Sequence, residues 1–386
     1  MNRFAFAISH AVDWTEAVKE LEIQLVSQSQ VGGRVYLGWV YATDRHAINL
    51  EGIVSYLRTA TGVDDWVGSI GMGVCWHSGA DNSGETFGLP AVIAMVADHP
   101  EDSFSIFPPF HESVSEISNS LKLWMERNAP SFGIVHGDPM TRDIPDLVEA
   151  LSLEMENVPL EAPGFLVGGL TSSHGDHLQI ASDVVNGGLS GVMFTSDVNV
   201  LTGLTQGYTP IGPAHRVTDS RGNAVMGLNG EPAMNALKLD VGELLARDIK
   251  KVAGNIHAAF PVRGSDIGDY VVRNIQGIDL ERGWLALGGS VQNGDQLMFV
   301  RRDPAGAEED LVRMVSGLMD RLPAPARGGL YFSCVARGPN LFGTEGREIE
   351  IIGEITKDIP LVGFFGQGEI SNNRLYGYTG VLALFL

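Results

Sequence analysis

Two short glycine-rich stretches with the same spacing constrain the fold of this chain more than any other feature of its sequence. Residues 67–73 read VGSIGMG and residues 362–368 read VGFFGQG, so both follow the pattern V-G-x-x-G-x-G. Each stretch follows a predicted helix, and each helix follows an apolar strand that ends in a polar loop. A looser third copy consists of FGIVHGDPM, a helix over 144–156 and FLVGGLTSS. The sequence therefore predicts three β-loop-α-β motifs.

The loops of these motifs are expected to meet at one edge of a sheet. If the two strands of each motif are parallel, right-handed crossovers place the loops after the strands on the same side. Ligands of open α/β sheets bind at that edge. The residues predicted to gather there are Thr43, Asp44, Arg45, Ser69, His136, Gly137, Asp138, Gly168, Gly169, Thr171, Ser172, Cys334, Arg337, Gly338, Phe364, Gly368 and Glu369.

Helical and strand patterns alternate along the whole chain. Apolar residues at helical spacing predict helices over 13–28, 46–60, 114–127, 144–156, 241–253, 307–322 and 346–356. Short β-rich runs lie between them, which predicts an α/β or α+β fold of mixed sheets flanked by helices. Because 386 residues exceed one ordinary core, we expect two modules, residues 1–225 and 226–386, divided within the polar stretch 215–232.

Composition excludes several classes of partner. The formal charge of -21, with no run of basic residues, disfavours a nucleic-acid or anionic-membrane surface. No window offers the run of about 18 apolar residues that a spanning helix needs. The two cysteines form no CxxC pair, so neither a disulfide framework nor a cysteine zinc site is expected. We therefore predict a cytoplasmic protein.

Familiar nucleotide, metal and hydrolase patterns are missing from the sequence. The order G-x-x-G-x-G differs from the dinucleotide fingerprint G-x-G-x-x-G, and no GxxxxGK[ST] occurs. His174 and His177 in TSSHGDH have metal-like spacing, but no partner pair accompanies them, so an exposed turn is favoured. Glu369 is not matched by a second carboxylate in its own stretch, so a glycosidase-like acid pair is not predicted.

Two residues at predicted strand ends keep more than one interpretation. Cys334 precedes Arg337 by three positions, so it is either a buried core cysteine or a thiol activated by the guanidinium. His136 ends an apolar strand and is a haem ligand, a pH-sensitive contact or a capped core histidine. No metal site other than a haem at His136 is predicted.

Six segments of the chain form a set whose order and spacing are specific. They are FLVGGLTSS, VVNGGLSGVMF and the segment beginning GYTPIGPAHRVTDSRGN in the N-terminal part, and GLYFSCVARGPNLFG, IPLVGFFGQGEI and YTGVLALF in the C-terminal part. Through these segments the chain resembles, over nearly its whole length, the FIST family of sensory proteins. The sequence departs from the family at GSIGMGV, where Ser69 replaces a cysteine and Val74 a glutamate. Ligand contacts usually made by those groups are therefore in doubt.

The resemblance implies a non-enzymatic sensor of a small ligand. Such proteins signal through separate partners such as histidine kinases or cyclic-dinucleotide enzymes, and some bacterial members bind haem and sense nitric oxide. We expect an amino-acid-like or metabolite-like ligand between the modules, with haem sensing and cysteine-dependent catalysis as alternatives. The expected ligand-binding residues are Ser69, His136, Gly168, Gly169, Cys334, Arg337, Gly338, Gly363, Phe364, Gly368 and Glu369.

Within that site each residue type has an expected role. Arg337 would pair with an anionic group of the ligand, and Glu369 would accept from an amine or orient Arg337. The glycines would allow the backbone to approach the ligand closely.

Overall fold

The computed structural model describes residues 4–28, 35–156, 164–242, 255–262 and 269–386. The chain divides into a large unit, Met1–Gln206 with Glu308–Leu386, and a small unit, Gly207–Ala307. The expected module boundary at residue 225 stays a prediction. The polar stretch 215–232 in which we placed it forms paired strands of the small unit.

Helices and strands are numbered along the chain. The helices are α1 (Trp14–Gln28), α2 (Leu50–Thr61), α3 (Asn119–Asn128), α4 (Ile144–Glu156), α5 (Ala233–Val241), α6 (Pro304–Asp320), α7 (Pro339–Phe342) and α8 (Arg347–Thr356). The strands up to the small unit are β1 (Ala5–Ser9), β2 (Val35–Thr43), β3 (Asp65–Gly71), β4 (Gly73–His77), β5 (Ser83–Phe87), β6 (Val92–His99), β7 (Phe104–Phe110), β8 (Phe132–Gly137), β9 (Phe165–Leu170), β10 (Leu178–Ala181), β11 (Asp183–Asn186), β12 (Leu189–Phe194) and β13 (Val200–Gln206). The strands of the small unit are β14 (Tyr208–Pro210), β15 (His215–Arg221), β16 (Ala224–Leu228), β17 (Glu231–Pro232), β18 (Ile256–Pro261), β19 (Tyr270–Asp279), β20 (Trp284–Leu287) and β21 (Gln296–Arg302). The last strands of the large unit are β22 (Gly328–Cys334), β23 (Leu361–Gly366), β24 (Glu369–Ser371), β25 (Arg374–Tyr376) and β26 (Thr379–Phe385).

The large unit contains three six-stranded sheets with one common plan. Sheet I has the order β1-β6-β2-β3-β10-β11, sheet II β7-β12-β8-β9-β24-β25 and sheet III β13-β26-β22-β23-β4-β5. In each sheet the two strands of a predicted β-loop-α-β motif are parallel, and every other pair of neighbours is antiparallel. The three predicted motifs and the α/β fold class are therefore confirmed.

The three sheets exchange strands in a closed cycle. After β3 the chain leaves sheet I, and hairpin β4–β5 extends sheet III beside β23. After β9 hairpin β10–β11 extends sheet I, and after β23 hairpin β24–β25 extends sheet II. Each sheet is thus completed by the hairpin of another repeat. We call residues 5–99 the first repeat, 104–194 the second, and 200–206 with 308–385 the third.

Helices cover one face of each sheet. In the first repeat Leu21 of α1 and Leu57 of α2 are fully buried in one cluster with Trp66 of β3. The second and third repeats have equivalent clusters under α3 with α4 and under α6 with α8. The small unit has a separate core. The opposite faces of sheets I, II and III meet through aromatic rings, which positions the candidate site.

Some predicted elements differ from the structure. The predicted helix 114–127 is a 3₁₀ turn, Val114–Glu116, followed by α3, because the Ser113–Glu116 capping box closes only the short turn. The β run 65–74 is divided at Met72 between two sheets. The predicted helix 241–253 lies outside the described residues apart from its first two positions, and α5 precedes it.

Candidate functional site

The carboxyl ends of the second strands of all three motifs meet, although the motifs lie in three separate sheets and not along one edge of a single sheet as we expected. The Ser172 hydroxyl accepts from the Met72 amide at 2.8 Å and donates to the Phe365 carbonyl, so one side chain joins the three repeats. Leu170 and Gly368 add a backbone bond of 2.8 Å between the second and third repeats. The strand ends therefore form a single hydrogen-bonded centre.

One glycine in each motif is required by the sheet itself. A Cβ atom at Gly68, Gly168 or Gly363 would lie 1.8 Å from a backbone carbonyl oxygen of the neighbouring parallel strand. No side chain can be accommodated at that distance, so the first strand approaches closer than any residue but glycine permits. The close approach that we expected at Gly168 and Gly363 is thus explained by the protein's own backbone.

Aromatic side chains from the three sheets fill the space beside these glycines. Tyr41, His136 and Phe332 occupy the same register position in β2, β8 and β22, opposite Ser69, Gly169 and Phe364 respectively. The rings of Tyr41 and Phe364 stack with centroids 5.1 Å apart. All four aromatic or imidazole rings are buried, so this is a packed centre.

His136 is a neutral core histidine in this structure. Its Nε2 lies 3.2 Å from the Tyr41 hydroxyl, and its Nδ1 has no hydrogen-bond partner among the described residues. Burial lowers the pKa of His136 to about 3, which keeps the ring uncharged.

The surroundings of His136 do not fit a haem. An axial ligand must present a ring nitrogen to an open flat space that takes a porphyrin. Rings of Tyr41, Phe332 and Phe364 lie 5.6, 6.1 and 5.9 Å from the imidazole, centre to centre, and enclose it. Haem sensing through this residue is therefore not supported by the packing.

A buried polar network distinguishes the third repeat. Glu348, on the inner face of α8, accepts from four donors that belong to β22 and the loop after it. These donors are Tyr331 Oη at 2.5 Å, Arg337 Nε at 2.7 Å, Ser333 Oγ at 3.1 Å and the Gly338 amide at 3.0 Å. Arg337 and Glu348 are both fully buried, so the ion pair is shielded from water.

Arg337 retains hydrogen-bonding capacity beyond this ion pair. Its Nη1 and Nη2 have no partner among the described residues, although Nε is bound. The guanidinium carbon lies 5.3 Å from the ring centre of Phe342. A planar group with two free donors matches a carboxylate or another oxyanion in geometry.

Glu369 is the second group with a free polar atom in this region. The Thr379 amide and hydroxyl donate to its Oε2 at 3.1 and 2.7 Å, whereas Oε1 has no partner among the described residues. Burial raises the pKa of Glu369 to about 8, against the opposing effects of Thr379 and of the positive charge of Arg337. The carboxyl is therefore largely protonated at neutral pH.

Cys334 does not have the properties of a nucleophile. The residue is buried, and burial, followed by the charge of Glu369, raises the pKa of the thiol. A reactive cysteine needs thiolate at neutral pH, which depends on a lowered pKa. The surroundings favour the interpretation as a core cysteine.

Strand register extends the comparison of the two glycine-rich stretches. Val74 of β4 pairs with Phe364, and Glu369 of β24 pairs with Gly169, at the same position of their sheets. Gln179 of β10 pairs with Ser69 and is the third equivalent residue. Three buried equivalent positions thus hold valine, glutamine and glutamate, and the glutamate lies next to the polar network of the third repeat.

All of the predicted ligand-binding residues are buried, but they do not form one contact set. Cys334, Arg337, Gly338 and Glu369 belong to the polar side of the third repeat, whereas His136, Gly169 and Phe364 belong to the aromatic centre. The Ser69 hydroxyl donates to the Ile70 carbonyl at 3.0 Å. Gly368 has a φ of 151°, and its carbonyl accepts from Leu170.

Sequence analysis missed Glu348, the residue that holds Arg337. Glu348 lies among isoleucines in REIEIIGEI, and an acid on the apolar stripe of a helix is a signal for a buried partner. The tyrosines at 41 and 331 were also missed, since buried tyrosine hydroxyls leave no pattern that separates them from ordinary core residues.

The other histidine candidate forms turn contacts. His174 Nδ1 lies 2.7 Å from Asp44 Oδ2, with the His174 side chain exposed and the Asp44 side chain largely buried, and His177 bonds to the Thr171 hydroxyl at 3.0 Å. Over the described ranges, no cluster of three or more histidine, cysteine, aspartate or glutamate side chains could hold a metal ion. No helix in the part of the chain described is long and apolar enough to cross a membrane.

Comparison with known proteins finds two adjoining domains. The FIST N domain matches residues 36–231, and the FIST C domain matches residues 237–372. Similar proteins include the uncharacterized protein Rv0628c of Mycobacterium tuberculosis, 33% identical over 252 residues, and the uncharacterized protein Mb0898c of Mycobacterium bovis, 33% identical over 253 residues. Each alignment covers 61% of this chain and 64% of the relative, so the chain spans less than two thirds of these relatives.

Proposed function

The chain belongs to the FIST family of sensory and signal-transduction modules, and on that premise we propose that it senses a small amino-acid-like or metabolite-like ligand bound between Arg337 and Glu369. The observation that carries the proposal is the pair of unsatisfied groups in the third repeat. Arg337 offers two buried donors, and Glu369 offers one buried acceptor. An amino acid has the complementary groups, a carboxylate for the arginine and an ammonium for the glutamate.

The buried position of both groups suits a sensor. A ligand reaches them only if the loop after β22 moves, so binding and conformational change are coupled in this proposal. Gly338, Gly343 and Gly346 have φ values of 50°, 85° and 86° around the short helix α7, and Gly343 and Gly346 have open space on the Cβ side. We propose that these glycines are the hinges of that movement.

Signal output remains part of the proposal. A separate protein such as a histidine kinase or a cyclic-dinucleotide enzyme would respond to the movement, and the ligand-binding chain itself would not be an enzyme. The high negative charge makes nucleic acid and anionic membranes poor partners. A cytoplasmic location agrees with Cys75 and Cys334 being free thiols.

Calorimetry with a panel of amino acids and related metabolites tests the site. Arg337→Lys keeps a positive charge beside Glu348 but removes the two free Nη donors, so it should weaken binding by about tenfold or more. Arg321→Lys, at an exposed position directly after α6, is the matched control and should bind as the wild type does. If Arg337→Lys and the wild type bind with equal affinity, Arg337 does not contact the ligand.

Proton release tests the role of Glu369 in the same experiment. Burial above all raises the pKa of this carboxyl to about 8, and a bound ammonium group would lower it, so a proton leaves near neutral pH. The observed binding enthalpy should then vary with the ionisation enthalpy of the buffer. Glu369→Gln should abolish this variation, and its persistence would assign the proton to another group.

A further inference from the structure

Side chains of a helix protect the edge strand β1 of sheet I. A strand at the edge of a sheet exposes unpaired backbone N–H and C=O groups, which attract another strand unless they are blocked. Gln28 Oε1 of α1 accepts from the Phe6 amide at 3.2 Å, and its Nε2 donates to the Phe6 carbonyl at 2.7 Å. Gln24 binds the backbone of Ile8 in the same way, at 3.1 and 2.8 Å. Two side-chain amides thus take the place of a neighbouring strand.

Other edge strands of the large unit are protected by proline, charge or a neighbouring helix. Pro108 and Pro109 of β7 have no amide N–H. The short strands β11 and β25 begin with Asp183 and Arg374. Strand β5 carries Glu85 and lies against α8. Each of these features discourages pairing with a further strand.

Strand β13, at the remaining edge of sheet III, has none of these features. Its sequence VLTGLTQ contains no proline and no charged side chain. Among the described residues β26 is its one strand partner. Residues 200–203 are partly exposed. The edge of β13 is therefore open to pairing.

The hydrogen bonds around β13 show which of its backbone groups face away from β26. The Leu386 amide donates to the Asn199 carbonyl at 3.0 Å, and this pair continues the register in which Val200 lies opposite Phe385. Hydrogen-bonded positions alternate along antiparallel strands, so the odd-numbered residues of β13 bond to β26 and the even-numbered residues direct their N–H and C=O groups outward. The Gln206 amide agrees with this direction, since it donates to Asp310 of α6 at 2.7 Å.

The outward backbone groups of Val200, Thr202 and Leu204 have no hydrogen-bond partner in the described part of the chain. These three positions are symmetric about Thr202. When two copies of β13 lie antiparallel and centred there, Thr202 is opposite its own copy and Val200 is opposite Leu204 of the second copy. Every outward N–H and C=O of the three residues then has a partner, about six hydrogen bonds in all. Threonine pairs across antiparallel strands are themselves favourable.

We propose that β13 is a dimerisation surface, at which two copies of this chain join their third sheets across a two-fold axis. A self-complementary patch is what such an interface requires. The chain has a formal charge of -21, so two copies meet favourably only where like charges do not oppose each other. The uncharged β13 meets this condition. The proposal does not depend on the ligand proposed for Arg337.

Sedimentation equilibrium of the full chain tests the proposal. We expect a monomer–dimer equilibrium that shifts toward dimer as sodium chloride is added, because salt screens the repulsion between two acidic chains. Thr202→Pro removes the central outward amide and no bond to β26, so it should weaken dimerisation by about tenfold or more. Thr202→Val keeps the amide and is the matched control, which should dimerise about as well as the wild type.

Disulfide cross-linking tests the register and does not depend on how well the proline variant folds. Thr202→Cys places two thiols opposite each other, with Cα atoms about 5.5 Å apart, so mild oxidation should give a covalent dimer. Val200→Cys places the two thiols roughly 14 Å apart along the strands and should not cross-link. Cys75 and Cys334 are buried and should not react.

Three results would each overturn the proposal. The first is a monomer at every protein and salt concentration, which is the outcome expected if β13 instead accepts an extended segment of another protein. The second is equal dimerisation of wild type and a folded Thr202→Pro variant. The third is cross-linking of Thr202→Cys that is no faster than that of Val200→Cys.

Discussion

At the scale of single residues, the glycines of the three motifs are explained by their distance to a neighbouring strand. Gly68, Gly168 and Gly363 each face a carbonyl oxygen at a distance that excludes a side chain. The repeated glycines therefore indicate a closely spaced pair of parallel strands in every sheet. They do not by themselves indicate a ligand-binding site.

Gly363→Ala should destabilise the large unit strongly. The added Cβ would lie 1.8 Å from the Tyr331 carbonyl oxygen, so β22 and β23 must separate, at a cost of at least about 3 kcal/mol. Urea denaturation of variant and wild type measures the difference. Gly317→Ala in α6 is the control, since nothing lies within 4 Å of its Cβ position and alanine favours helices. Similar losses in both variants would refute the explanation.

Glu369 should make stability depend on pH. Its pKa is raised from 4.5 to about 8, chiefly by burial, so the folded protein holds a proton that the unfolded chain has lost between these values. The unfolded state binds fewer protons there, and the free energy of unfolding therefore falls as pH rises through that window. A side chain that cannot ionise at position 369 should therefore remove this loss of stability at high pH.

Glu369→Gln tests this sign. The stability of the variant relative to wild type should increase from about pH 5 to about pH 9, by roughly 1.4 kcal/mol for each unit of the pKa shift. Urea denaturation at both pH values measures the change. Glu85, whose pKa burial also raises to about 8, is present in both proteins and cancels in the comparison. A difference independent of pH would show that Glu369 does not titrate in this range.

At the scale of elements, local pattern was sufficient for the motifs but not for the exchange of hairpins. Apolar runs and helical spacing located β2 with β3, β8 with β9 and β22 with β23, and their parallel pairing followed from the helix between them. The run 65–74 reads as continuous β structure, and nothing local shows that it changes sheets at Met72. Strand exchange depends on partners more than a hundred residues away.

The candidate site was predictable to a similar degree. Arg337 and Glu369 could be selected because they follow apolar strands whose ends meet. The ion pair between Arg337 and Glu348 could not be predicted, because the two residues meet only after the loop at Gly338 folds back onto α8. The sequence shows that Val74 and Glu369 are equivalent, because each follows a copy of the glycine pattern. Gln179 follows no such copy, so its equivalence to them can be recognised only from the strand register.

At the scale of the whole chain, the small unit is an insertion in the third repeat. It lies between β13 and most of α6, and its strands pair only with one another. The flanking ends are close together in the large unit, since the Gln206 amide and the Thr205 hydroxyl donate to Asp310 at 2.7 and 2.9 Å. Replacing residues 207–307 by about four glycine and serine residues should therefore leave the large unit folded.

Urea unfolding of the excised protein, monitored by tryptophan fluorescence, checks this prediction, and we expect a cooperative transition.

Fragments of the large unit should behave differently from the excised protein. Fragment 1–206 lacks β24 and β25 of sheet II, and fragment 308–386 lacks β4, β5 and β13 of sheet III. Because sheets II and III each take strands from both fragments, neither fragment should fold completely alone, while an equimolar mixture should recover native fluorescence. A cooperatively folded single fragment would show that the exchanged hairpins are dispensable, and a non-cooperative excised protein would show that the large unit depends on the insertion.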